Sequence, residues 1–187
     1  MKKLLLAITA TLALSAPMAA NATSQEVPFK TFGDWGVYKY QDEMTEEVFY
    51  KAEPIEYQES NYNSYSDDLD PFYLNFTCKK GSFEKSYNFV FYRNLVLDGN
   101  FISWEDLRMI SDSSFKIDKG TIFTNKLIEA NNSEYIISDY DLLYSKLKDD
   151  SKNLMVKVKP YNKKHVILKH TLNGAKYAID YATKLCN

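Results

Sequence analysis

Arginine is nearly absent from this chain of 187 residues: Arg93 and Arg108 are the only two. Histidine and cysteine are as scarce, with His165, His170, Cys78 and Cys186 making up the whole supply. Each shortage excludes a class of function. Nucleic-acid binding needs lysine and arginine to neutralise phosphates, and a net charge of −2 points the other way. The same balance argues against an anionic membrane surface. A zinc site needs three or four convergent ligands. His165 and His170 lie five residues apart on an expected strand, so they face opposite sides. The expectation is a solvated His165 and a packed or edge His170. There is no Gly-x-Ser-x-Gly elbow, Ser-x-x-Lys pair, Gly-rich phosphate loop or His-Glu-x-x-His helix. No cofactor and no catalytic set is therefore expected.

What is present begins with an export signal. Lys2 and Lys3 are followed by the apolar run Leu4 to Leu14 and then by Pro17 and Ala20-Asn21-Ala22. This is the layout of a cleaved signal peptide, with cleavage expected after Ala22. The run is shorter than the roughly 20 residues that span a bilayer, and no later stretch is longer. Residues 1–22 are thus read as the signal and residues 23–187 as one domain, periplasmic or secreted, with no membrane insertion after cleavage. Loss of Lys2 and Lys3 takes the net charge from −2 to −4. In an oxidising compartment an isolated cysteine pair is most simply a disulfide, here Cys78–Cys186.

The chain has 15 Tyr and 11 Phe, which with Val and Ile favour sheet. Strands are expected at Thr31 to Tyr40, Val48 to Tyr57, Pro71 to Cys78 and Lys85 to Leu97. Further strands fall at Thr121 to Glu129, Glu134 to Ile137, Leu154 to Lys159 and His165 to Leu172. Phe101 to Lys119 is ambiguous between helix and strand. Ser138-Asp139-Tyr140-Asp141 has the form of a capping box opening a short helix. A last helix runs from about Gly174 to Leu185, capped by Asn173, with Ala175, Ala178, Ile179 and Ala182 on its apolar face. Cys186 continues that face, which aims its sulfur at the core. The fold class is mainly β: a single-domain antiparallel β-sandwich or barrel-like sheet, with one short helix and a C-terminal helix packed on it.

Residues 59–70 are polar and turn-rich, and so form a loop. Tyr57, Tyr62 and Tyr65 fall in or beside it, where core packing explains them poorly, and with Asp67, Asp68 and Asp70 they are the candidate partner-contact residues. The acidic run lacks the alternating ligands and central Gly of an EF-hand. Asp67, Asp68 and Asp70, and Glu105 with Asp106, are the candidate acids if the protein were a carboxylate hydrolase.

Two patches resemble the invasion-associated locus B family of bacterial periplasmic proteins. One is Phe32-Gly33-Asp34-Trp35-Gly36-Val37, similar to the Gly-x-Trp-x-Val strand that opens the family's domain. The other is the closing strand Leu154 to Lys159 with Thr171-Leu172-Asn173-Gly174 leading into a helix. The family's cysteine after the opening Trp is missing, and Ala175 stands where an aromatic is common. The resemblance implies a non-enzymatic, β-rich envelope protein and carries over no site residues. The expected partner is another protein, whether of the envelope, of a host, or a target enzyme. The alternatives are a periplasmic inhibitor or immunity-type protein with 61–70 as its acidic finger, and the hydrolase.

Overall fold

The computed structural model describes residues 28–56, 72–82, 85–91, 97–101, 109–131 and 134–187. The expected signal peptide lies outside the described residues, as do Tyr57, Tyr62, Tyr65, Asp67, Asp68 and Asp70 of the expected loop region, and Glu105 with Asp106. Eleven strands form one antiparallel sheet. The first five are β1 (Lys30–Phe32), β2 (Trp35–Gln41), β3 (Val48–Pro54), β4 (Phe72–Lys79) and β5 (Lys85–Phe91). Then come β6 (Asn100–Phe101), β7 (Met109–Ile117), β8 (Phe123–Asn131) and β9 (Glu134–Ile137). Helix α1 (Tyr140–Lys146) precedes β10 (Asn153–Val158) and β11 (Val166–Thr171), and α2 (Ala175–Cys186) closes the chain.

The sheet runs β1-β2-β3-β4-β5-β9-β8-β7-β10-β11, with β6 pairing on β7. It is a single open sheet, mainly β with two helices, as the patterning predicts. It is not a closed barrel, since β1 and β11 end the path. It does fold over on itself: β11 reaches β4, and the Trp35 indole on β2 donates to the Thr171 carbonyl on β11 at 3.0 Å. Alternation explains which side is buried. Leu154, Val156 and Val158 on β10, Leu127 on β8, Phe115 on β7 and Leu74, Phe76 and Cys78 on β4 all face one core. Helix α2 lies against β1 to β4 and fills that core with Ala175, Ala178, Ile179 and Ala182.

The expected disulfide is present. Cys78 on β4 and Cys186 at the end of α2 are joined, with Cα atoms 6.1 Å apart and a separation of 108 positions in sequence. A loop of that order restricts the unfolded chain by about 4–5 kcal/mol in the chain-entropy picture. Its place follows from the helix period, which brings position 186 round to the buried face.

Several boundaries differ from expectation. Thr31 to Tyr40 is a hairpin rather than one strand, because Gly33 takes φ +56° and turns the chain. The described part of the strand from Lys85 is Lys85–Phe91, residues 92–96 lying outside the described residues, and Leu97 forms an isolated bridge to Pro160. The ambiguous segment supplies a long strand, β7. Asp139, not Ser138, caps α1, its carboxylate accepting the Leu142 amide at 2.9 Å. The N-cap of α2 is Gly174 in the left-handed region with no side-chain bond, and the Asn173 side chain is turned toward Asp34.

Candidate functional site

The two patches quoted above, far apart in sequence, meet in space. Asp34 accepts from the Thr171 hydroxyl at 2.7 Å and from the Asn173 amide nitrogen at 3.1 Å. Its backbone N–H donates to the Asn173 carbonyl at 3.0 Å. Backbone meets backbone so closely here that two glycines are obligatory. A Cβ on Gly174 would stand 1.8 Å from the Phe32 carbonyl oxygen, and one on Gly33 would stand 2.8 Å from that of Asn173. This clasp joins the first hairpin to the strand–helix junction at the other end of the domain, and its polar groups are consumed by holding it. It positions the fold and leaves little for a ligand.

His170, on β11, is also a seam residue. Pro54 stands opposite Leu74 by extension of the β3–β4 register, which ends at Ala52↔Phe76. The Leu74 amide donates instead to His170 Nε2 at 3.4 Å. The ring is edge-on to Trp35, centroids 5.8 Å apart. Burial pushes the imidazole down to about 3, so it is neutral at physiological pH. His165 is exposed. The expectation for both histidines is met, and no cluster of three or more potential metal ligands occurs among the described residues.

A second polar cluster ties α1 to α2. The Tyr144 hydroxyl donates to Asp180, and Lys176 Nζ lies 3.0 Å from that hydroxyl and 2.9 Å from Asp180 Oδ2. Burial and the Asp180 carboxylate raise the Tyr144 phenol. The hydrogen bonds to Asp180 and Tyr144 raise the Lys176 ammonium. Both shifts hold their protons in place, the reverse of what a nucleophile or general base needs. The cluster is a strut.

The outer face of β3 to β5 is different. Alternation sets Lys51 and Glu53 on β3, Asn75 and Thr77 on β4, and Ser86 and Asn88 on β5 away from the core. The register lines them up as Lys51↔Thr77↔Ser86 and Asn75↔Asn88. On such a face polar residues are ordinarily solvated. Here Glu53 is 7% exposed and Asn75 1%. Lys51 Nζ is 2.7 Å from Glu53 Oε2, close enough for an ion pair though not angled as a hydrogen bond. Thr77 reaches Asn75 Oδ1 only at 3.5 Å. Asn88 Oδ1 is buried without a hydrogen-bond partner. A buried amide oxygen left so costs about 1–3 kcal/mol, and buried polar groups are normally satisfied. The groups on this face are a carboxylate, an ammonium, two amides and two hydroxyls; Glu53 and Asn75 are covered by the chain itself, and Lys51, Thr77, Ser86 and Asn88 are partly exposed.

Sequence reasoning missed this face, because a polar residue on an alternating strand reads as solvated. It also missed the β2–β3 tip, where Asp42, Glu43, Glu46 and Glu47 surround Met44, which is 95% exposed. Asp42 accepts the amides of Met44 and Thr45 at 2.9 and 2.7 Å, bonds that lower its carboxyl below the usual range, the Thr45 amide most of all. The clustering of four acids in six residues was the available signal. No protein-family model, curated protein or solved structure matches this chain.

Proposed function

We propose that this is an exported, non-enzymatic binding protein of the bacterial envelope, of the kind that the resemblance to the invasion-associated locus B family implies. The observation that carries the reading is the outer face of β3 to β5. It holds Glu53 and Asn75 buried away from the core and leaves Asn88 Oδ1 without a partner. The unmet Asn88 acceptor is the point on this face that a partner's donor would satisfy. The Cys78–Cys186 bridge supports export, because cytosolic thiols stay reduced. The meeting of the two resembling patches supports treating them as one structural signature.

The test is site-directed photo-crosslinking in cells from Ser86, with the full chain exported. A single protein adduct, lost when Asn75 and Asn88 are changed to Ala together, is the expected outcome. An adduct indifferent to those changes, or none, overturns the site. Turnover of peptidoglycan by the pure protein would overturn the non-enzymatic reading.

One observation favours the inhibitor as a second reading. Besides the 61–70 segment expected from sequence, which lies outside the described residues, the β2–β3 tip is an acidic finger whose shape is set by the two bonds to Asp42. A preformed anionic tip suits a cationic enzyme cleft. Inhibition of a lysozyme-type enzyme that survives changing Glu43 and Glu46 to Gln would remove this finger from the account.

A further inference from the structure

We infer that the outer face of β7, β10 and β11 is an adsorption surface for anionic lipid headgroups. Over the whole chain acids outnumber bases, 25 to 23. The charges are not mixed evenly. Residues 151–170, the β10–β11 hairpin and its approach, contain six lysines, two histidines and no carboxylate.

The sheet turns that composition into a surface. Inward residues of the hairpin are buried, so its cations are confined to the outward face and the turn. The register places Lys116↔Met155↔Lys169 in one row and Ser114↔Lys157↔Ile167 in the next. Cations and apolar side chains therefore alternate over three strands, which sit about 4.8 Å apart. Lys157 and Lys169 are exposed and Ile167 is 58% exposed. At the hairpin turn, Tyr161 is 58% exposed beside the exposed Lys163 and Lys164. The acids nearby lie at its margins: Asp112 on β7 opposite Lys126, Asp98 paired with Lys159, Asp118 accepting the Lys152 and Asn153 amides, and Asp149 and Asp150 just before the hairpin.

The interleaving selects the partner. A soluble polyanion asks only for cations. A lipid surface rewards cations that meet headgroups, apolar side chains that enter the acyl boundary and a tyrosine at the interface. Of the six exposed large hydrophobics among the described residues, Tyr161 and Ile167 belong to this hairpin. The net charge argues against an anionic surface only if the charge is spread evenly, and here it is segregated. The inference does not depend on the polar face of β3 to β5.

The test uses the mature chain with its disulfide intact and co-sedimentation with vesicles. Binding is expected to phosphatidylglycerol–phosphatidylcholine vesicles and not to phosphatidylcholine alone. It should vanish at about 0.5 M salt, where screening acts over roughly 4 Å. The double variant Lys157→Gln/Lys169→Gln should bind about 25-fold more weakly, at about fivefold per cation. Lys30→Gln/Lys39→Gln, changed on β1 and β2, should bind as wild type. Ile167→Ser should weaken vesicle binding while leaving any binding of dextran sulfate unchanged. The inference is overturned by equal binding to neutral vesicles or by an unaffected Lys157/Lys169 double variant. Capture of dextran sulfate without vesicles, or self-association in place of vesicle binding, overturns it too. These side chains are solvent-facing, so a wild-type melting temperature will show that lost binding is not lost folding.

Discussion

Acidification should weaken this protein through one residue, His170, and the size of the effect follows from its setting. The ring is buried against Trp35, and its Nε2 accepts the Leu74 amide. Protonation would remove that acceptor and place a charge in the core. The folded value is about 3, against about 6.5 in the unfolded chain. Since the folded value is the lower, the contribution is complete above pH 6.5 and is lost as pH falls toward 3. Within that window the unfolded state holds a proton that the native state refuses, so stability falls by about 1.4 kcal/mol per pH unit. Between pH 7 and pH 5 the expected loss is roughly 2 kcal/mol. The assay is urea denaturation at both pH values, with the disulfide intact, for wild type and His170→Leu. The variant leaves the Leu74 amide without its acceptor and so should be weaker at pH 7 by about 1–3 kcal/mol, a gap that closes by roughly 2 kcal/mol at pH 5. Its further loss on acidification should be smaller than that of wild type by the 2 kcal/mol or so assigned to the imidazole. Carboxylates titrate alike in both proteins and cancel. If wild type and variant lose equal stability between the two pH values, the imidazole is not buried neutral and the seam at β4–β11 has been misread.

Three other outcomes are expected. Gly174→Ala should prevent stable folding, measured as loss of soluble protein or of a cooperative melt, because its Cβ would overlap the Phe32 carbonyl. Gly81→Ala is the control: it shares a positive φ but has open space around it, so only about 1 kcal/mol should be lost. Reduction of Cys78–Cys186, or Cys78→Ser with Cys186→Ser, should lower stability by about 4–5 kcal/mol, read as a shift in the denaturation midpoint. Asp34→Ala removes the acceptor for Thr171 and Asn173; since Asn173 is exposed and water replaces its acceptor, a loss of about 1–2 kcal/mol is expected, from the buried Thr171 hydroxyl, and an unchanged midpoint would deny the clasp its role.

The segment at Phe101 to Lys119 shows where local reading fails. Met109–Ile117 alternates buried Ser111 and Ser113 with exposed Asp112, and a buried serine carries no apolar signal. The strand is imposed by β8 and β10 on either side of it, which is information from elsewhere in the chain. The cap of α2 failed for a related reason. Asn173 is a good N-cap by type, yet its amide is claimed by Asp34, a residue brought near only by folding.

By itself the sequence determined what local chemistry and short periods encode. The alternation of Leu154, Val156 and Val158, the apolar face of α2 and the reach of Cys186 to a core-side partner are of this kind, since each depends on neighbours within a few residues. The sheet-rich class and the cysteine bridge followed. Only the tertiary structure decided that the two terminal patches interlock, that Asn75 and Glu53 are buried on the outer face, and that the lysines of β10 and β11 gather on one surface. Those facts depend on strand order and register. The pairing of β5 with β9, and of β10 with β7, joins segments distant in sequence, and no local pattern in either partner specifies the other.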